Sequence, residues 1–346
     1  MKFTLSLVIL QVCCCLAELR VGGNNHQKIN YRRIRASEST DLDRLCNYTA
    51  TTKPDFSSPG RRISEVSAQW WKDHPGTVYV PFAVGGRSTE IGEFPHMGAI
   101  GWKAAVGTWI FKCGSTLISS KFLLTAAHCS RVSSRDASVA NPVPEIVRLG
   151  DKNIIDVFSN NVYPLDFNIE RIIKHPNFDP PKKYFDIAII ELVYEVSFTR
   201  LVQPACLWTK FNTQELGRKA TLTGWGIVES AGRATSPELQ AADVDVINSN
   251  QCDNYLKPYH NRQWFGVESH QLCAGKLAGG VDACQGDSGG PLQVKIPLPI
   301  KTEGSMHYVI GVTSFGIGCA LPNHPGIYTR VSSFINWIES VVWPGL

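Results

Sequence analysis

Short apolar runs separated by turn residues most constrain the fold of this chain. From Ala83 onward, runs rich in β-branched side chains alternate with Gly, Pro and Asn, for example 115–119, 122–125, 187–192, 220–224 and 309–315. Such runs predict β-strands, and many of them without intervening helical periods predict an all-β barrel or sandwich. The end of the chain differs and predicts one amphipathic helix. Its apolar face comprises Phe334, Ile335, Ile338, Val341 and Val342.

The beginning of the chain and its cysteines predict a secreted protein. Lys2 precedes an apolar stretch that ends at about Ala17. This pattern is typical of a signal peptide over residues 1–17 and is too short to span a membrane. Three of the eleven cysteines lie in this segment, and the eight that remain are an even number. An even number in a secreted chain favours disulfides over zinc or free thiols.

Charge and hydropathy exclude other classes of protein. The formal net charge is +4 over 346 residues, and no block of like charges stands out. Nucleic acid is therefore not expected as a partner. No later stretch is apolar for long enough to be a membrane span.

Residues 18–82 differ in composition from the β-rich domain that we place at 83–346. They are rich in Arg, Asn, Ser and Thr, and Pro54 and Pro59 interrupt them. We interpret them as a mostly flexible pro-segment. Asn47 begins the one Asn-x-Ser/Thr glycosylation signal of the chain, which predicts an exposed position there.

Ser288 is the first of three residues that together predict nucleophilic catalysis. A serine hydroxyl is a poor nucleophile until a base takes its proton and backbone donors await the oxyanion. Gly286, Gly289 and Gly290 would let the backbone approach a substrate closely. Taken alone, a serine among glycines is more often part of a turn.

His128 and Asp186 could supply the base and the group that orients it. His128 follows an apolar run and two alanines, whose small side chains would let its ring lie against the backbone. Asp186 leads directly into an apolar run, where a carboxylate needs a hydrogen-bond donor such as an imidazole N–H. Each residue alone has a structural alternative: a partly buried histidine, and an aspartate that caps a turn.

The three residues occur in the order His, Asp, Ser, which is one of the orders found in serine proteases of unrelated fold. The stretch from 83 to 346 closely resembles the chymotrypsin-like, or trypsin, family of serine proteases. Six ordered motifs carry this resemblance: Thr-Ala-Ala-His-Cys at 125–129, Asp-Ile-Ala at 186–188, Gln-Pro-Ala-Cys-Leu at 203–207, Thr-Gly-Trp-Gly at 223–226, Gly-Asp-Ser-Gly-Gly-Pro at 286–291 and Pro-Gly-Ile-Tyr-Thr-Arg-Val at 325–331.

The resemblance implies two six-stranded antiparallel β-barrels with the active site in the cleft between them. It implies that Ser288 is the nucleophile, His128 the general acid and base, and Asp186 the residue that orients His128. The backbone N–H groups of Gly286 and Ser288 would form the oxyanion hole. The activity implied is that of a serine endopeptidase.

The resemblance also implies local disulfides and a primary specificity. The family's pairing gives Cys113–Cys129, Cys252–Cys273 and Cys284–Cys319, and parity then offers Cys46–Cys206. Asp282 occupies the family's position at the base of the substrate pocket. A buried carboxylate there favours a substrate Arg or Lys. Gly316 and Gly326 match open pocket walls.

The predicted activation site departs from the usual family pattern. Residues 83–86, which begin with Ala83, match the N-terminus of the mature enzymes of this family. The resemblance implies that a cut before Ala83 frees an amino group, which would pair with Asp287 and order the substrate pocket. The residue before the cut would be Phe82 instead of Arg or Lys, which implies a separate upstream activating protease.

These features are similar to arthropod clip-domain proteases of the snake and persephone type, which act in extracellular immune or developmental cascades. The predicted partners are a protein substrate, the activating protease and a protein inhibitor. A clip domain needs six cysteines, however, and residues 18–82 contain only Cys46.

We expect no cofactor and no metal in the reaction. A calcium loop is a lesser possibility, because Asp151 and Asp156 are present, although Pro164 lies near where a second glutamate belongs. Two alternative functions remain. The long pro-segment and Phe82 disfavour a digestive trypsin, and the intact set of three catalytic residues disfavours a non-catalytic homologue that acts as a binding or cofactor protein.

Overall fold

A computed structural model describes residues 86–155, 164–226, 236–280, 287–296, 306–318 and 321–344. Several predicted features therefore lie outside the described residues. They are the signal peptide, the pro-segment with Cys46 and Asn47, the activation residues Phe82 and Ala83, Asp156, Asp282, Cys284, Gly286 and Cys319.

The first half of the described chain closes into a six-stranded barrel. After the two-residue strand β1, Arg87–Ser88, its strands are β2 Met97–Lys103, β3 Trp109–Leu117, β4 Phe122–Thr125, β5 Ile146–Leu149, β6 Leu165–Lys174 and β7 Ala188–Leu192. They are joined in the order β2-β3-β4-β7-β6-β5, and the ring closes through the antiparallel pairing of β5 with β2. The apolar runs at 122–125 and 187–192 thus form two neighbouring strands of this barrel.

The second half closes into another antiparallel ring. Its strands are β9 Lys219–Gly224, β10 Gln240–Ile247, β11 Gln271–Gly275, β12 Pro291–Lys295, β13 His307–Phe315 and β14 Gly326–Arg330. They follow the order β9-β10-β11-β14-β13-β12, and β12 pairs back onto β9. The strand β8, Cys206–Leu207, lies parallel to β13, and β1 pairs with β10. The predicted pair of six-stranded barrels is confirmed.

The C-terminal helix is also confirmed. The helix α2, Ile335–Val342, follows β14 and a single 3₁₀ turn. Its residues Ile335, Ile338 and Val342 are buried in the core of the first barrel, together with Val309 and Val312 of β13. The helix and one strand of the second barrel therefore help to fill the first.

A second helix was not expected from the sequence. The helix α1, Ser249–Leu256, lies between β10 and β11, and the side chain of Asn248 caps it by accepting from the Asn250 N–H. Only Cys252 and Leu256 of this helix are buried. So sparse an apolar face gives little helical periodicity to detect.

Candidate active site

His128 lies at the end of β4, on a 3₁₀ turn that spans Ala127–Ser130. The Cys113–Cys129 disulfide, with a Cα–Cα distance of 6.1 Å, ties this turn to β3. Ala126 and Ala127 are fully buried. The small side chains before the histidine therefore let its turn pack against the first barrel, while the His128 side chain itself stays 37% exposed instead of lying wholly against the backbone.

Asp186 is buried and is held by donors from both barrels. The backbone N–H of His128 donates to Oδ1 at 2.9 Å, and His128 Nδ1 donates to Oδ2 at 2.7 Å. Ser314 of β13 donates its hydroxyl to Oδ2 at 2.6 Å, and Thr329 of β14 donates to the Asp186 carbonyl at 2.7 Å. Because Nδ1 carries its proton toward Asp186, Nε2 is left as the basic nitrogen of the neutral ring.

Burial acts to raise the pKa of the Asp186 carboxyl, but the neighbouring groups outweigh it. The charge of His128 and the hydrogen bonds from His128 and Ser314 favour the carboxylate and hold this pKa below its ordinary value. The pair is thus arranged to stabilise an imidazolium when His128 accepts a proton. Sequence reasoning missed Ser314, because the run at 309–315 indicated only a strand, and it missed Thr329, because the motif at 325–331 suggested no role for this residue.

The loop that carries Ser288 is anchored to both barrels. The Ser288 carbonyl accepts from the Gly114 N–H of β3 at 2.8 Å, and the Gly289 N–H donates to Thr313 of β13 at 2.8 Å. A Cβ at Gly289, whose φ is +78°, would lie only 3.2 Å from the nitrogen of Ala126. The serine loop therefore lies against the segment that leads into His128, while β13 also supplies Ser314 to Asp186.

Within the described residues, Ser288 Oγ makes no hydrogen bond, and His128 Nε2 lies 3.7 Å from Cys129 Sγ. Catalytic hydrogen bonds of substrate-free sites are often formed only in the complex with substrate. The fold brings the predicted base, its orienting carboxylate and the predicted nucleophile to the same region between the barrels.

Asp287, next to Ser288, is buried against the segment that follows β9. Its Oδ1 accepts from the Gly226 N–H at 2.9 Å. A Cβ at either Gly224 or Gly226 would collide with the Asp287 carboxylate. The Thr-Gly-Trp-Gly motif at 223–226 is thus explained by the space that this carboxylate needs.

Of the residues predicted to form the substrate pocket, Gly316 and Gly326 lie in the described part of the chain, next to Phe315. Gly316 is exposed just after β13, and Gly326 is buried at the start of β14. Phe315 packs edge-on against Trp264 with ring centroids 5.5 Å apart. Lys183 Nζ lies 5.6 Å from the centre of the Phe315 ring.

Two of the four expected disulfides lie wholly within the described residues, and both are formed. They are Cys113–Cys129 and Cys252–Cys273. The Cys284–Cys319 pair and Cys46 lie outside, while Cys206 is buried in β8.

One group of cysteines and histidine among the described residues has metal-ligand spacing, and the predicted calcium loop is only partly described. Cys113, His128 and Cys129 are close together, but both thiols are consumed in the disulfide. Asp151 is buried, its Oδ1 accepts from the Asn153 N–H at 2.9 Å, and burial raises the pKa of its carboxyl. Pro164 directly precedes β6. No helix in the described ranges is long and apolar enough to cross a membrane.

Two antiparallel barrels with an Asp–His pair and a glycine-flanked serine between them define the class of chymotrypsin-like proteins. Residues 83–338 match the family described as Trypsin, so the chain belongs to the trypsin family of serine proteases.

Curated relatives include serine proteases of the snake type. The chain is 37% identical over 302 residues to "Serine protease snk" of Drosophila melanogaster, which covers 85% of this chain and 65% of the relative. It is 38% identical over 275 residues to "Serine protease Hayan" of Drosophila melanogaster, covering 78% and 40%. It is 35% identical over 257 residues to "Proclotting enzyme" of Tachypleus tridentatus, covering 74% and 64%. The match thus spans between two fifths and two thirds of the length of these relatives.

Proposed function

We propose that this protein is a secreted serine endopeptidase zymogen that hydrolyses peptide bonds after Arg or Lys. The observation that carries the proposal is the buried Asp186 carboxylate, which holds His128 through both its backbone N–H and its Nδ1. A buried aspartate with a purely structural role could be satisfied by any hydrogen-bond donor. Here the carboxylate instead fixes one tautomer of His128, whose side chain is itself partly exposed.

In the proposed mechanism, His128 Nε2 takes the proton of Ser288 as its oxygen attacks the substrate carbonyl. Asp186 stabilises the imidazolium that results, and His128 then gives the proton to the leaving amine. The backbone N–H groups of Gly286 and Ser288 would bind the oxyanion. The C–N bond then breaks, the amine leaves and Ser288 remains acylated. A water molecule, deprotonated by His128, attacks this acyl-enzyme, and the C–O bond to Ser288 breaks as His128 returns the proton to the Ser288 oxygen. None of these steps uses a metal or an organic cofactor.

The proposed specificity depends on Asp282. A carboxylate at the base of a closed pocket lacks a partner until a substrate guanidinium or ammonium enters, so Arg and Lys side chains are favoured over neutral ones. Gly316 and Gly326 would leave room for the long side chain. This part of the proposal comes from the family resemblance and from the sequence.

The proposed activation is a cut between Phe82 and Ala83 by another protease of chymotrypsin-like preference. The new amino group would pair with Asp287, which already bonds to Gly226. We place the protein in an extracellular proteolytic cascade, with a protein substrate, an upstream protease and a protein inhibitor as partners. The relatives of the snake type and the proclotting enzyme support this role.

The test is to cleave the purified full chain with a protease that cuts after Phe and to sequence the new N-terminus. Ala83 is expected there, followed by hydrolysis of Arg and Lys chromogenic peptides and no hydrolysis of the matched Phe peptide. Activity should persist in the presence of EDTA. Ser288→Ala should abolish it.

Replacement of the pocket acid gives a sharper test of specificity. In Asp282→Ser, kcat/KM for the Arg peptide should fall by about 10²- to 10³-fold, as expected when one partner of a buried ion pair is removed. Labelling of Ser288 by a serine-directed phosphonate serves as the control for an intact site. A protein that begins at Ala83, yet cleaves no peptide and takes no label, would be a non-catalytic binding protein instead.

A further inference from the structure

Phe185, the residue before Asp186, has an unusual backbone conformation. Its φ is +55°, in the left-handed region, where a bulky aromatic residue is rarely found. The other non-glycine residue with positive φ in the described ranges is Asn323, a residue type that tolerates this conformation. A strained torsion persists only when the surrounding structure holds it, and such strain is concentrated at functional sites.

Two histidine rings hold the Phe185 ring between them. His270 stacks on one side, with ring centroids 4.3 Å apart and planes 13° from parallel, and His175 stacks with a centroid distance of 5.4 Å and an angle of 10°. His175 directly follows β6 of the first barrel, and His270 directly precedes β11 of the second. The ring of Phe334 meets Phe185 edge-on at 6.2 Å. The clamp therefore joins both barrels to the residue before Asp186.

The same two histidines also hold the backbone around Asp186. The Phe185 N–H donates to His270 Nε2 at 3.3 Å, which requires this nitrogen to be unprotonated. The His175 N–H donates to the Ile187 carbonyl at 3.0 Å, and the Ile187 N–H returns to the Phe185 carbonyl at 2.8 Å. The backbone is thus fixed on each side of Asp186.

Neutral His270 suits this role. Burial, with a smaller effect of His175, lowers the pKa of His270 to about 4. Among the described residues, the rings of Tyr184 and Phe334 also face this ring, with centroids 5.8 and 6.0 Å away. At neutral pH, Nε2 therefore remains available as the acceptor for Phe185.

We propose that Phe185, clamped between His175 and His270, is a positioning residue that sets the direction of the Asp186 carboxylate toward His128. The ring does not touch the reacting atoms. It fixes the strained φ of the residue directly before Asp186, and that torsion helps to set where the carboxylate points. This inference rests on the proposed protease function, because it assigns a role within the same site.

The test compares Phe185→Gly, Phe185→Leu and Phe185→Tyr, each expressed as the full chain and then activated by the cut before Ala83. Glycine accepts the left-handed φ but removes the ring, leucine keeps bulk without stacking, and tyrosine keeps the ring. In the Gly and Leu variants, kcat for an Arg chromogenic peptide should fall by about 10- to 100-fold with KM within about twofold, because catalysis is sensitive to small displacements. Phe185→Tyr should retain most of kcat. Phe265→Ala, which removes an exposed ring packed on Tyr184, is the matched control and should leave kcat unchanged.

A second readout separates this inference from the proposed function. The low-field proton NMR resonance of His128 Nδ1–H reports the bond to Asp186 without any need for activity. It should shift or broaden in Phe185→Gly and Phe185→Leu but not in Phe265→Ala. If the Gly and Leu variants keep both kcat and this resonance and lose only thermal stability, the stack is merely structural and the proposal is overturned. If the wild type cleaves nothing, the proposed function fails, and the resonance still tests the clamp.

Discussion

At the residue scale, Asp186 connects both barrels to one histidine, because its carboxylate accepts hydrogen bonds from each barrel. His128 belongs to the first barrel, and Ser314 belongs to β13 of the second. Their donors converge on Oδ2 at 2.7 and 2.6 Å. A change in the packing of one barrel on the other would therefore move His128 relative to its orienting group.

Removal of the Ser314 hydroxyl should weaken catalysis more than stability. In Ser314→Ala, Oδ2 of a buried carboxylate loses a hydrogen bond, and bonds to charged groups contribute about 1.5–3 kcal/mol. We expect kcat for an Arg peptide to fall by about 10-fold or more, with KM nearly unchanged. Ser332→Ala is the matched control, because the Ser332 hydroxyl has no hydrogen-bond partner among the described residues. Equal kcat values for the two variants would contradict the role assigned to Ser314.

At the scale of elements, the end of β9 with the residues after it and the loop before β12 fit together without room for a side chain. Asp287 packs directly on Gly224 and Gly226, and it bonds to the Gly226 N–H. The loop that carries Ser288 is thus shaped by a segment about sixty residues earlier in the chain.

One added methyl group at this contact should inactivate the protein. In Gly226→Ala, the new Cβ would overlap the Asp287 carboxylate, so the loop must shift, and overpacking of this kind destabilises by about 1–3 kcal/mol. Activity on the Arg peptide and labelling of Ser288 by the phosphonate should both drop severely. Gly107→Ala is the comparison, because nothing lies within 4 Å of its added Cβ and any cost is backbone strain in a distant turn. Normal labelling of Gly226→Ala would show that the loop does not depend on this contact.

At the scale of the whole molecule, buried histidines join the two barrels. His96 precedes β2, and its Nε2 donates to Gln293 Oε1 of β12 at 2.6 Å. The ring of His307, in β13, lies 5.3 Å from that of His96 and 4.9 Å from that of Phe94. Burial lowers the pKa of His96 to about 3, aided by His307, and burial lowers the pKa of His307 to about 4, aided by Lys295.

Acid should therefore destabilise the fold in a defined pH window. Both histidines bind protons more readily in the unfolded chain, whose ordinary pKa is 6.5. Stability is thus full above pH 6.5 and is lost as the pH falls toward 4, by up to about 1.4 kcal/mol per pH unit for each histidine. His307→Phe should reduce this slope in the free energy of unfolding measured with urea between pH 7 and pH 4.5. The free energy of unfolding at pH 7, where the two histidines of the folded protein are neutral, reports any loss of packing in His307→Phe. The slope below pH 7 reports the loss of a titrating group, and an unchanged slope would show that His307 does not contribute.

Local pattern was sufficient for much of the fold. The runs at 122–125 and 220–224 lie within strands, and the apolar face at 335–342 forms the terminal helix, because period and composition are local properties. The helix α1 escaped notice because it buries only two side chains. The prediction that the strands close into two barrels came from the family resemblance, which short motifs carry.

The sequence by itself determined the residue types that the site needs and their order: a histidine after buried alanines, an aspartate before a buried strand and a serine among glycines. Only the tertiary structure decided which other residues hold them. Ser314, His175 and His270 lie in none of the six motifs, and Thr329 lies in one that had suggested no role for it. These residues reach Asp186 or Phe185 from positions about 10 to 140 residues away. The physical reason is that hydrogen bonds and ring stacks act over a few ångströms in space, and closure of the two barrels alone brings these residues within that range.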